Sequence, residues 1–163
     1  MSETVERQNL SDGRKLERIR NPDGTVTQRT YYPNGQIEGE VTLRDGVPER
    51  VTRHWHPNGV LAVEIPLKAG VVEGVAKQWN EKGELLGCYE IRNGTGVEKV
   101  WHPNGQLMGE ITIVDGKWTG RQRTWFEDGT FAGEQYWLEN RKVSKKRYLE
   151  ACKTNPKLPR YED

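Results

Sequence analysis

The chain has 163 residues, of which 33% are hydrophobic and 30% charged, with a formal net charge of +1. That is long enough for one domain with a core and too apolar for a disordered chain. Acids and bases are interspersed, so the global basic field that holds a nucleic-acid backbone is missing and no nucleic-acid partner is expected. Glycine (18 residues) and tryptophan (6 residues) are abundant, as suits a protein of many turns packed by large side chains.

Residues 1–10 form a polar, partly acidic N-terminal segment without the apolar core of a signal peptide. Nowhere does an apolar run reach the length that spans a bilayer. Cys88 and Cys152 lack a disulfide-framework spacing. Free thiols and a cytoplasmic location are therefore expected.

From residue 11 to residue 145 a repeat dominates. Tyr31-Tyr32-Pro33-Asn34-Gly35, Trp55-His56-Pro57-Asn58-Gly59, Trp79-Asn80-Glu81-Lys82-Gly83, Trp101-His102-Pro103-Asn104-Gly105 and Trp125-Phe126-Glu127-Asp128-Gly129 end in glycines spaced by 24, 24, 22 and 24 residues. Eleven residues after each comes Gly46, Gly70, Gly94, Gly116 or, in the last copy, Asn140; Gly13 and Gly24 extend the step upstream. A turn every dozen residues or so leaves strands of ordinary length. The expected fold is all-β: an elongated, curled antiparallel meander of repeated β-hairpins with a short C-terminal helix.

Pro57-Asn58-Gly59 reads as a three-residue hairpin loop, with proline setting φ, asparagine next and glycine in the left-handed position of a bulge. Gly35, Gly59, Gly83, Gly105 and Gly129 are thus structural turns. The resulting register pairs His56 with Val60, Trp55 with Leu61, Arg53 with Val63 and Val51 with Ile65. It likewise sets Tyr31 against Ile37, Trp79 against Leu85, Trp101 against Leu107 and Trp125 against Phe131. One step on, Arg29, Lys77, Lys99 and Arg123 oppose Gly39, Gly87, Gly109 and Gly133, glycines that leave room for a tryptophan ring or a basic stem. Glu40, Glu64, Glu110 and Glu134 then fall on the other, wet face. Glu98 opposes Glu110, a like-charge defect next to an Asn93–Gly96 loop that is two residues short.

The composition changes beyond the array. Val143–Lys153 reads as a helix with Ser144 as N-cap and an apolar stripe of Tyr148, Leu149 and Cys152. Asn155–Tyr161 is a tail punctuated by Pro156 and Pro159. Residues 146–163 serve either as the terminal cap that repeat arrays require or as a polyproline-like recognition peptide.

Catalytic chemistry is not indicated. His54 and His56 share a strand face, but Ala62 and Val60 opposite them cannot ligate a metal, and His102 fills the same repeat slot as His56. The recurring glutamates are structural or solvating, Gly94-Thr95-Gly96 lacks a strand-to-helix context for phosphate, and Cys88 is no evident nucleophile. The basic cluster Arg141, Lys142, Lys145, Lys146 and Arg147 reads either as a contact for an acidic surface or a membrane headgroup layer or, flanked as it is by Glu139 and Glu150, as a solvated helix face, the preferred reading. No metal, cofactor or catalytic residue is expected. The row Tyr31, Trp55, Trp79, Trp101 and Trp125, together with Trp118 and Trp137, is the candidate binding surface. It is either core, packed under curled sheet or termini, or an exposed platform.

The pattern Trp101-His102-Pro103-Asn104-Gly105-Gln106-Leu107-Met108-Gly109-Glu110, followed by Asp115-Gly116-Lys117-Trp118-Thr119-Gly120, resembles the MORN-repeat variant family, over roughly residues 19–145. The resemblance implies elongated hairpin arrays that serve in protein association. It also implies antitoxin-like roles in some bacterial members and phospholipid contact in more typical MORN repeats, whose Tyr-x-Gly and Trp-x-x-Gly turns this chain replaces with Pro-Asn-Gly. The expected function is a non-catalytic protein-interaction scaffold, with a protein partner or self-association through edge strands. The alternatives are a Trp-row site for choline- or sugar-like ligands and phospholipid-surface binding.

Overall fold

A computed structural model describes residues 4–162. It contains fourteen strands and one helix among those residues. The chain falls into two compact units that meet between Leu85 and Leu86. The first holds β1 (Thr4–Asn9), β2 (Lys15–Arg20), β3 (Val26–Tyr31), β4 (Ile37–Arg44), β5 (Val47–Trp55), β6 (Leu61–Lys68), β7 (Val71–Val72) and β8 (Gly74–Trp79). The second holds β9 (Leu85–Arg92) from its second residue, β10 (Thr95–Trp101), β11 (Leu107–Val114), β12 (Lys117–Trp125), β13 (Phe131–Leu138), β14 (Arg141–Val143) and the helix α1 (Lys145–Thr154). Within each unit the strands are antiparallel and follow chain order, with β7 a side branch of β6, and neither unit closes into a barrel.

The turns at Gly13, Gly24 and Gly35 are all of one three-residue kind, and from Gly35 onward two kinds of turn alternate. At the Pro-Asn-Gly sites the expected three-residue loop forms: His56 N–H donates to Val60 O at 2.8 Å and Gly59 N–H to His56 O at 2.9 Å. The five turn glycines have φ between 81° and 90°, a backbone that a Cβ penalises. Between them lie two-residue loops with both residues left-handed, such as Asp45 (φ 52°) and Gly46 (φ 79°). This is the turn whose twist matches that of a hairpin.

The register differs from the expected one by a single residue. Trp55 does face Leu61, Tyr31 faces Ile37, Trp101 faces Leu107 and Trp125 faces Phe131. Directly beyond each pair the returning strand bulges at Glu38, Ala62, Met108 or Ala132, so that Thr30 meets Gly39, His54 meets Val63, Val100 meets Gly109 and Thr124 meets Gly133. A bulge moves every later side chain to the other face. The basic residues therefore oppose the glutamates, not the glycines: Arg29 meets Glu40, Arg53 meets Glu64, Lys99 meets Glu110 and Arg123 meets Glu134. The like-charge defect vanishes as well, because Glu98 opposes Ile111.

The 22-residue spacing has its cause in a strand and not in a loop. Asn93–Gly94 is an ordinary two-residue turn, between Arg92 and Thr95. Other copies carry extra residues around a left-handed position further along the outgoing strand: Arg50 (φ 67°), Gly74 (φ 117°) and Gly120 (φ 129°). β10 has no such left-handed residue.

Among its described residues, the first unit builds no second layer of its own over the sheet. Strands pack against their sheet neighbours, most strand residues are half-buried, and Ala76 is the buried apolar side chain among the described residues. The second unit has buried Ile91, Ile111 and Ile113, and a cluster of Tyr136, Tyr148 and Cys152 joined by Leu138, Val143, Leu158 and Tyr161. That cluster is made by α1 folding onto β13. Ser144 caps the helix, its Oγ accepting from Arg147 N–H at 3.1 Å, which satisfies one of the first turn's orphan donors. The proline-containing tail is part of the same cap: Tyr148 O–H donates to Pro159 O at 2.7 Å, and Arg160 donates to Cys152 O at 2.9 Å.

Candidate binding surfaces

The bulges place aromatic residues and charges on one face. Arg53 and Trp55 are two apart on β5, so they point the same way, and cross-strand partners share a face. Glutamates and bases thus alternate along a row perpendicular to the strands. In the first unit the row runs Arg7, Glu17, Arg29, Glu40, Arg53, Glu64, Lys77. In the second it runs Lys99, Glu110, Arg123, Glu134. Arg29 Nε lies 2.7 Å from Glu40 Oε2, Arg53 Nε 2.9 Å from Glu64 Oε2, and Arg123 Nε 3.1 Å from Glu134 Oε2. The carboxylates respond. Arg7 and Tyr31, hydrogen-bonding to Glu17, hold its pKa below the ordinary value. Burial works against ionisation of Glu134, but Tyr136, Arg123 and Arg121 outweigh it and hold that pKa low as well.

The turns are tied to one another in the same repeating way. Asn34, Asn58 and Asn104 each donate from Nδ2 to a backbone carbonyl in the next Pro-Asn-Gly-type turn, at 2.9, 2.9 and 2.7 Å. Tyr32 O–H donates to Trp55 O, and His56 and His102 reach Trp79 O and Trp125 O through Nε2 at 2.9 Å. A carbonyl only accepts, so each imidazole carries its proton on Nε2. Those two histidines are struts between turns. Among the described residues no three His, Cys, Asp or Glu side chains gather as a metal site would need.

The seven aromatic candidates do not form one surface. Tyr31, Trp55, Trp79, Trp101 and Trp125 are all half-buried, neither sealed core nor open platform. Tyr31 O–H donates to Glu17 at 3.0 Å. The Trp101 indole lies directly over Gly87, where a Cβ would collide with it. Trp125 meets the exposed Phe131 edge-on at 6.2 Å. Tyr136 faces α1, so Trp137, the next residue, lies on the opposite side of the sheet. There it donates to Gln122 Oε1 at 2.9 Å and meets Trp118 edge-on, centroids 5.0 Å apart. Trp118 is exposed.

Two features escaped sequence reasoning. One is the burial of Glu98, which opposes the buried Ile111 and whose pKa that burial raises; the same desolvation, with Glu98 nearby, raises that of Tyr89. The other is what pins the C-terminal cap, whose existence the sequence did suggest for residues 146–163. The Tyr161 hydroxyl sits in the strand irregularity at Gly120, 2.7 Å from Thr112 Oγ1, and accepts from Arg121 N–H at 2.9 Å, while the Arg121 guanidinium stacks 4.1 Å above the Tyr161 ring. The only signal available for it was a lone tyrosine after two prolines. Cys88 is an exposed free thiol and Cys152 a buried one. In the basic cluster Arg141 and Lys142 are on β14 and Lys145, Lys146 and Arg147 open α1, all exposed. No helix is long and apolar enough to cross a membrane among the described residues.

Residues 24–45 and 95–115 match the MORN repeat variant. Each matched segment is one Pro-Asn-Gly hairpin, β3–β4 or β10–β11, and ends in the next two-residue turn. No curated protein sequence matches the chain.

Proposed function

We propose that this array of MORN repeat variants is a non-catalytic scaffold that binds a partner protein. MORN repeats are generally non-enzymatic modules, and two of the hairpins here match them. The observation that carries the reading is the single-layered sheet of the first unit, whose strands are mostly half-buried while its recurring polar groups are spent on each other. Turn asparagines, struts and charge rows fix the surface, and a rigid surface binds without a large ordering cost. Both cysteines are free thiols, which suits a reducing compartment such as the cytoplasm. An antitoxin-like role would be one form of this function, with a toxin as the partner. Affinity purification of the full chain from its native cell, followed by reconstitution with the purified partner, tests the proposal. A reproducible 1:1 or higher complex supports it; no partner and no self-association would end it.

A second reading draws on Trp118 and Trp137. Two indoles at 82° to each other, one exposed, form a corner that suits a quaternary amine or a sugar face. Titration with choline and with oligosaccharides should quench or shift tryptophan fluorescence, and Trp118→Ala should abolish the change. A spectrum that stays constant throughout would dismiss this reading.

A further inference from the structure

We infer that the helix-bearing face of the second unit is a docking surface for a short acidic segment of a partner protein that carries at least one large apolar side chain. The inference rests on the scaffold reading above and gives its partner a chemistry. Two clefts open on this face, one of about 330 Å³ between α1, the tail and β13, and one of about 410 Å³ over β12 and β13, and Lys145 lines both. Their walls carry Arg121, Arg123, Lys145, Lys153 and Arg160 against the single carboxylate of Glu134, five cations to one anion, in a chain whose net charge is only +1.

The arginines of β12 are partly neutralised, since Glu134 lies 3.1 Å from Arg123 and 3.7 Å from Arg121. Arg160 donates to a neutral carbonyl and so keeps its charge. Lys153 of α1 and Arg160 of the tail therefore add positive charge to the first cleft that Glu134 does not offset. Between the cations the walls are aromatic: Tyr136, Tyr148 and Tyr161 in the first cleft, Trp125 and Phe131 in the second. Phe131 is 56% exposed and Leu149 48%, among the most exposed large apolar residues of the chain, and each lines one cleft. Cations fix register and steer the encounter, and aromatic hollows hold an apolar anchor. Concave clefts receive inserted side chains. A bilayer surface is met by protruding ones, so a peptide fits this face better than a lipid headgroup layer does.

Selection of a displayed random-peptide library on the full chain tests the inference. Enrichment of sequences that combine Asp or Glu with Phe, Trp or Leu is expected. Their synthetic versions should bind about tenfold more weakly to Lys145→Ala/Lys153→Ala, and more weakly to Phe131→Ser, than to the parent. Lys82→Ala, which removes a cation from a turn of the first unit, should leave binding unchanged. Thermal melting of each variant separates lost binding from lost folding. Enrichment of neutral or basic sequences, no enrichment, or binding indifferent to the cleft variants overturns the inference. So does binding of vesicles containing anionic phospholipid that the same double variant abolishes while peptides bind no better than background. If the double variant still forms the purified complex with a native partner, this docking face is wrong and the scaffold stands. If neither peptide nor partner is ever bound, both fall.

Discussion

At the scale of single residues, the repeat leaves little space for variation at its crossing points. Gly87 lies beneath the Trp101 indole, so Gly87→Ala must displace a large ring or the strand itself. The expected cost is about 1–3 kcal/mol, read as a fall in denaturation midpoint. Gly133, whose Cβ would meet only Thr124 at 3.8 Å, should accept alanine with little effect, and equal losses at both positions would rule out the ring as cause. Glu98 makes a pH-dependent prediction. Its folded-state pKa lies above the unfolded value because burial desolvates the carboxylate. Ionisation therefore costs stability as pH rises through the interval between the two values, and nothing below it. Glu98→Gln should raise Tm at pH 7 and leave it unchanged at about pH 3.5, beneath the ordinary glutamate range. Glu17 and Glu134, whose pKa values are lowered, lose their contribution on acidification in parent and variant alike, so they cancel from the difference. A gain of equal size at both pH values would count against desolvation.

At the scale of elements, the bulge is the deciding device. One extra residue at Ala62 turns Glu64 from the far face to the near one and sets it against Arg53. Both side chains remain about a third exposed, so the pair contributes modestly. A double-mutant cycle with Arg53→Ala and Glu64→Ala should give a coupling of about 0.3–1 kcal/mol, reduced in 1 M salt. A coupling of zero at low salt would mean the row organises the face without stabilising it. The hairpins, their turns, the aromatic–aliphatic pairs and the Ser144 cap were all legible in the sequence, because turn chemistry and periodicity are local. The charge row was not. A three-residue turn predicts where strands meet, but the bulge beyond it follows from how the Trp55–Leu61 and His54–Val63 pairs settle across two strands, and one residue of slip reverses every later assignment.

At the scale of the whole molecule, the two units cover themselves differently. Among its described residues the first is a single-layered sheet, held by cross-strand pairs and turn-to-turn bonds. The second gains a local core by folding α1 and the tail over β13. Tyr161 pins that cap, through its hydroxyl in the Gly120 irregularity and its ring beneath Arg121. Tyr161→Phe keeps the ring and removes the hydroxyl, leaving Arg121 N–H and Thr112 without that partner. The expected cost is about 1–3 kcal/mol, with faster amide exchange at Arg121 in β12 and in α1. Unaltered exchange there would show that the ring alone holds the cap.

What the sequence by itself determined is the repeat: hairpin after hairpin, the turn type at each Pro-Asn-Gly, the place of the aromatics opposite aliphatics, and the start of the final helix. These depend on a few adjacent residues and their φ preferences, and repetition multiplies a weak signal. Only the tertiary structure decided which face the glutamates occupy, that Trp118 and Trp137 part from Trp125, and that Lys145, Lys153 and Arg160 line one cleft with Leu149 while Lys145 lines a second with Phe131. Those outcomes depend on strand slip and on a chain end folding back, and contacts between distant residues leave no periodic trace in the chain that forms them.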